Sequence, residues 1–209
     1  DGAAPHTPLF GNLGAYTRPI STASAEAQRY FDQGLTLVYA FNHDEAERSF
    51  REAARRDPEC GMCWWGVALT LGPNINREGD AERNARALDA IERARALSAA
   101  ETEPERAYIA ALATRYSADP HADRAALDRA YAAAMGKVHE RFPKDADVAV
   151  LFAEALMDLQ PWDLWTPKGE PKGRALEIVA LLEEALRLDP SPPGANPLYI
   201  HALEPSPQA

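Results

Sequence analysis

Cysteine is nearly missing from this 209-residue chain: there are two, Cys60 and Cys63. Two are too few for a disulfide framework, which excludes the small cross-linked secreted scaffolds. Basic charge is also scarce. Lys and Arg total 22 against 32 Asp and Glu, a formal net charge of −10, and only four of the cations are lysines. A nucleic-acid partner needs a basic footprint, so it is not expected. No apolar run approaches the roughly 18 residues that a membrane span requires. The sequence begins at Asp1 rather than Met. That start suits a processed product, a removed secretion signal being one route, and the expected location is the periplasm or outside the cell. What remains is ordinary: 46% hydrophobic and 26% charged residues, as in globular proteins.

The informative stretch is Tyr30–Pro58, YFDQGLTLVYAFNHDEAERSFREAARRDP. It has the form helix, tight turn, helix, proline. Gly34 and Ala46 are small where two helices of a hairpin must approach, and Tyr30 and Phe50 fill the space around that contact. Ala53 and Pro58 complete the spacing. This spacing resembles the tetratricopeptide repeat, a helical hairpin of about 34 residues. One hairpin cannot bury its apolar face alone, so further hairpins should stack on it. The resemblance implies an all-α, right-handed solenoid of about four hairpins plus a half repeat.

Residues 1–24 carry Pro, Gly, Ser and Thr without helical period and read as an extended arm, packed through Leu9, Phe10 and Tyr16. The solenoid should occupy 25–209, with Ser24 or Thr22 capping its first helix. Continuing the phase, Cys60-Gly-Met-Cys63-Trp64-Trp65 opens the second repeat, and Gly72-Pro-Asn-Ile-Asn76 breaks its first helix. A second helix follows over 81–97. The third repeat should run from Pro104 to about Tyr116, then over 122–142 up to Pro143. The fourth has a helix over 146–158, an inserted loop 159–174 (LQPWDLWTPKGEPKGR) and a helix ending at Pro190. Residues 193–204 open a fifth repeat that lacks its partner helix. Its bare face is expected to be covered by another chain or by a segment absent from this sequence.

In this repeat class the first helix of each hairpin lines a concave groove. The resemblance therefore places Phe31, Leu35, Val38 and Tyr39, then Met62, Trp65 and Leu69, on the inner face. In the fourth and half repeats it places Asp147, Val150, Glu154, Met157, Asp158, His201 and Glu204 there. Asn74, Asn76, Asp163 and Trp165 on the inserted loops are candidates for the same ligand surface. Glu154 and Asp158 are four apart, and His201 and Glu204 three apart, so each pair shares a helix face. Three carboxylates and a His suit a divalent or copper ion, or an acid/base pair. Solvated groove carboxylates paired with Arg are the simpler alternative.

Cys60-x-x-Cys63 at a helix start fits a redox pair, two metal ligands or a structural disulfide. Covalent haem attachment is excluded because Trp64 stands where His must follow. His43, at a turn position, reads as packing.

The segments NHDEAERSFREA, CGMCWWGVALTLGPNIN, FAEALMDLQPWDLW and YIHALEPSP together resemble a group of bacterial, exported tetratricopeptide-repeat proteins over nearly all of 20–208. The resemblance implies a non-enzymatic scaffold binding a protein or peptide within a larger assembly. A metal-binding or oxidoreductase-type protein is the alternative. In those relatives a His precedes the position of His201 by four residues; here that place is Pro197.

Overall fold

The computed structural model describes residues 7–189 and 193–206. Among them the chain forms nine α-helices and no strand. They are α1 (Ala25–Tyr39), α2 (His43–Arg56), α3 (Gly61–Leu71), α4 (Ala81–Leu97), α5 (Glu103–Ala113), α6 (Arg124–Arg141), α7 (Ala146–Met157), α8 (Ala175–Leu188) and α9 (Ala195–Leu203). Four hairpins, α1/α2, α3/α4, α5/α6 and α7/α8, stack through α2 on α3, α4 on α5 and α6 on α7, and α9 packs on α8. The architecture is an all-α, tetratricopeptide-like solenoid. None of these helices is long and apolar enough to cross a membrane.

Local chemistry sets most helix starts. Ser24, Asn42, Asp80, Asp123 and Asp145 each accept a first-turn backbone N–H with the side chain, satisfying donors that the helix leaves open. Thr102 and Glu105 form a capping box at α5, with Pro104 in its first turn. Phe50 holds the first two hairpins together. Its ring fills the space beside Gly34, where an added Cβ would lie 2.8 Å from it, and sits still closer to Gly66 on α3. The glycines are there because Phe50 leaves no room for a methyl.

The elements follow the expected boundaries with two adjustments. Helix α5 stops at Ala113, not near Tyr116. There Thr114 Oγ1 donates to Ala111 O at 2.7 Å, while Tyr116 Oη reaches across to Ala68 O at 2.6 Å. Local side-chain bonding and tertiary bonding together take the chain out of the helix. Helix α6 begins at Arg124 because Asp123 is its cap. The proline expected to end α8, Pro190, lies outside the described residues.

The arm is packed, and it wraps α1. Thr7–Phe10 covers the stripe of Tyr30 and Gln33. Residues 16–22 run along the opposite stripe, over Gln28, Asp32 and Tyr39. Phe10, expected to anchor it, is 41% exposed; Leu9 and Tyr16 pack on the core. Residues 1–6 of the expected arm lie outside the described residues.

The far end of the array also reaches α1. Gly194, just ahead of α9, is so close to Tyr39 and Val150 that a Cβ there would lie 2.5 Å and 2.7 Å from them. His201 of α9 stacks edge-on to Phe41 of the α1–α2 turn, centroids 5.3 Å apart. First and last repeats therefore meet across the inner face.

Candidate functional site

The arm is gripped on both stripes of α1 by helix side chains bonding to its main chain. Tyr30 Oη donates to Thr7 O at 2.9 Å, and Gln33 binds both Pro8 O and the Phe10 N–H. Gln28 Nε2 donates to Arg18 O at 2.8 Å, and its Oε1 accepts from Ile20 N at 3.0 Å. Asp32 accepts the Arg18 N–H at 3.0 Å, and Glu105 takes the Ser21 N–H at 2.6 Å. Main-chain groups of an extended segment must find partners somewhere once water is displaced. Here Gln, Asp, Glu and Tyr side chains of two helices, α1 and α5, supply them.

Two arm side chains enter the face as anchors. The Arg18 guanidinium binds Asp145 at 2.7 Å and Asp147 at 2.8 Å and lies 4.7 Å from the centre of the Tyr108 ring. The Tyr16 and Tyr39 hydroxyls donate to the two oxygens of Asp147 at 2.7 and 2.9 Å. Burial, then the Asp147 charge, drives both phenols far above their ordinary pKa, so they remain donors. Burial alone would raise the Asp145 carboxyl, but Arg18 outweighs it and holds the group below its ordinary value.

Deeper in, the inner face holds a second polar cluster. Arg115, 3% exposed, binds Asp128 at 3.1 Å and Asp158 at 2.7 Å. Glu154 lies one turn before Asp158 on α7. Burial raises both carboxyl pKa values; their mutual repulsion adds to the rise at Glu154, and Arg115 opposes it. Both carboxylates border a cavity of about 10 Å³ that also touches His43, Asn74 and Tyr131.

The expected groove residues are located as follows. Phe31, Leu35, Tyr39, Trp65 and Leu69 are buried. The trough is therefore filled, by the arm, by α9 and by rings packed on one another: Trp65 lies 5.5 Å from Tyr108 and 6.4 Å from Phe31. Asn74 is buried and its Oδ1 turns the loop by accepting the Asn76 N–H at 2.9 Å; Asn76 itself is exposed. Asp163 is exposed and paired with Lys172. Trp165 ties its loop to α9 through a 2.7 Å bond from Nε1 to Ala202 O. Glu154 and Asp158 come together. His201 does not join them: it packs between Phe41 and Trp162, with Glu204 3.7 Å from its Nδ1. Among the described residues no three His, Cys, Asp or Glu side chains are placed to hold a metal ion.

Cys60 and Cys63 are joined as a disulfide, and both are fully buried. The adjacent α3 N-terminus is closed by Glu101, whose Oε1 accepts the Gly61 N–H at 2.6 Å. Burial, then the neighbouring Glu105, pushes the Glu101 carboxyl up to about 7.

Sequence reasoning passed over Arg18, Arg115 and Tyr131, and read His43 as packing. The two arginines bind partners 13 to 129 residues away. One signal was available for Arg18: the inward slot of Asp147 asked for a cation, and the arm offers one.

The comparisons with known proteins add a likeness of shape only. Among the solved structures that this chain resembles are two of MamA. One is MamA 41-end from Desulfovibrio magneticus RS-1, 14% identical, covering 88% of this chain and 93% of that one, with TM-score 0.34. The other is a MamA RS-1 ArsTM double mutant, 12% identical over 88% of this chain and 96% of that one, with TM-score 0.33. No family model matches the sequence, and no curated protein matches it.

Proposed function

We propose that the chain is a binding scaffold that holds an extended peptide segment of a protein partner on its inner face, as one part of a larger assembly. The observation that carries this is the arm. There the helices already grip an extended segment through its main chain, from Arg18 to Ser21, and select it through an aromatic and an arginine two residues apart. Main-chain bonding supplies affinity and anchor pockets supply selectivity, which is the division of labour in peptide recognition. The acidic face of Asp32, Glu105, Asp145 and Asp147 suits a basic segment. A tethered segment competes at an effective concentration of about millimolar, so a partner must either displace the arm or extend beyond it. We assign the chain to an exported location; the Cys60–Cys63 disulfide persists in an oxidising compartment.

The test keeps the chain whole. The double variant Tyr16→Ala, Arg18→Ala loosens the arm, and a labelled peptide of residues 7–22 is titrated by fluorescence anisotropy. Saturable 1:1 binding to the variant, with little binding to the unaltered chain, is expected. A folded variant that ignores the peptide overturns the reading.

A further inference from the structure

The arm's two anchoring side chains meet at one oxygen. Tyr16 Oη donates to Asp147 Oδ2 at 2.7 Å, and Arg18 Nη1 donates to the same oxygen at 2.8 Å. The other oxygen, Oδ1, is already taken by Tyr39 Oη at 2.9 Å. Asp147 is buried, so the partners of Oδ2 come from the segment that lies over it. Asp145 holds the guanidinium from a second side: its Oδ1 accepts from Nη1 at 2.9 Å and its Oδ2 from Nη2 at 2.7 Å. The guanidinium carbon lies over the Tyr108 ring, 4.7 Å from its centre.

The spacing of the pair follows from an extended backbone. Side chains two residues apart stand on the same side of such a segment, and the one between them points away. Thr17, the residue between, donates to Asp32 instead, at 2.8 Å. Helix side chains accept the N–H groups of Arg18, Ile20 and Ser21. Position 19 is proline, which has no N–H to place.

On the reading that a partner's segment takes the arm's place, we propose that the ligand class of this face is an extended segment carrying Tyr-x-Arg, and that Asp147 is the residue that selects it. Positive charge alone does not satisfy the site. A lysine ammonium is a point charge: it has no planar fork to engage both oxygens of Asp145 while reaching Asp147, and no flat face to lay on Tyr108. A phenylalanine fills the ring's place but leaves the buried Asp147 carboxylate one donor short. Reversing the order of the two residues keeps the charge and breaks both contacts.

Fluorescence anisotropy on the full chain loosened by Tyr16→Ala and Arg18→Ala tests the selectivity. Four labelled peptides of residues 7–22 are compared: the unaltered sequence, Arg18→Lys, Tyr16→Phe, and the order-reversed pair Tyr16→Arg with Arg18→Tyr. The first should bind, and each of the others should bind about tenfold more weakly or worse. Adding Asp147→Asn to the loosened chain should shrink the preference for the unaltered peptide over Tyr16→Phe to about threefold or less; a merely structural loss would weaken both peptides alike. A second measurement needs no loosened chain. Arg18→Lys in the otherwise unaltered chain should speed hydrogen–deuterium exchange of the amides at 18, 20 and 21 about tenfold, with the helices still protected. Binding of the unaltered peptide with equal affinity for the lysine and order-reversed peptides overturns the selectivity and leaves the scaffold reading standing. A Tyr-over-Phe preference unchanged in Asp147→Asn, or arm exchange unchanged in Arg18→Lys, also overturns it. A folded chain that binds none of the four overturns the scaffold reading and this inference with it.

Discussion

Phe50 shows how a single residue couples two repeats. Its ring fills the space that side chains at Gly34 and Gly66 would otherwise take. Gly66→Ala should therefore cost about 1–3 kcal/mol through overpacking, and Phe50→Leu in the same chain should recover part of it. Urea midpoints decide it; an unchanged midpoint for Gly66→Ala contradicts the packing. Gly34, Ala46 and Phe50 were legible because they interact within one repeat's spacing. Arg115 was not, since its partners lie 13 and 43 residues away on α6 and at the end of α7. Arg115→Leu strands Asp158 and half of Asp128 and should cost about 3–5 kcal/mol. Glu101 makes a pH prediction. Its folded pKa, about 7, lies above the ordinary 4.5, so the folded state holds the proton more tightly. Its contribution to stability is present below about 4.5 and is lost as pH rises toward 7. Glu101→Gln should flatten stability over that interval. His43 acts in the opposite sense: its folded pKa of about 4 lies below 6.5, so its contribution is lost as pH falls between those values. The slope is therefore read from the Glu101 variant against the unaltered chain; equal slopes would sink the assignment.

At the scale of elements, caps and breakers made the helices readable. Ser24, Pro104 and the Gly72-Pro73 pair mark boundaries that the structure keeps. The end of α5 was hidden because Tyr116 leaves the helix to reach Ala68 O, a bond spanning 48 residues. The inserted loops were recognisable as departures from the repeat, but not their joining. Trp162 Nε1 bonds Ile75 O across 87 residues. Trp162→Phe removes that bond while keeping an aromatic ring. Limited proteolysis should then cut within 72–80 or 159–174 several times faster, with Tm nearly unchanged, because local opening is separable from global unfolding. Equal cleavage rates would mean that the loops hold independently.

For the whole molecule, the repeat grammar told how hairpins stack but not how far the array curls. Curvature is a sum of small rotations, and no local motif encodes it. Here it brings Tyr39 of α1 within hydrogen-bonding distance of Asp147 of α7, across 108 residues. Arg18 and Tyr16 of the arm close that junction. The inner face was expected as an open groove; its residues are buried under a segment that composition alone marked as irregular. Hydrogen–deuterium exchange on the unaltered chain tests this arrangement most directly. Amides of Phe10, Arg18, Ile20 and Ser21 should be protected to a degree comparable with α1, and Tyr16→Ala with Arg18→Ala should release those of 16–22 while the helices stay protected. Arm amides exchanging at the rate of an unstructured peptide, beside fully protected helices, would contradict an inner face built to hold an extended segment.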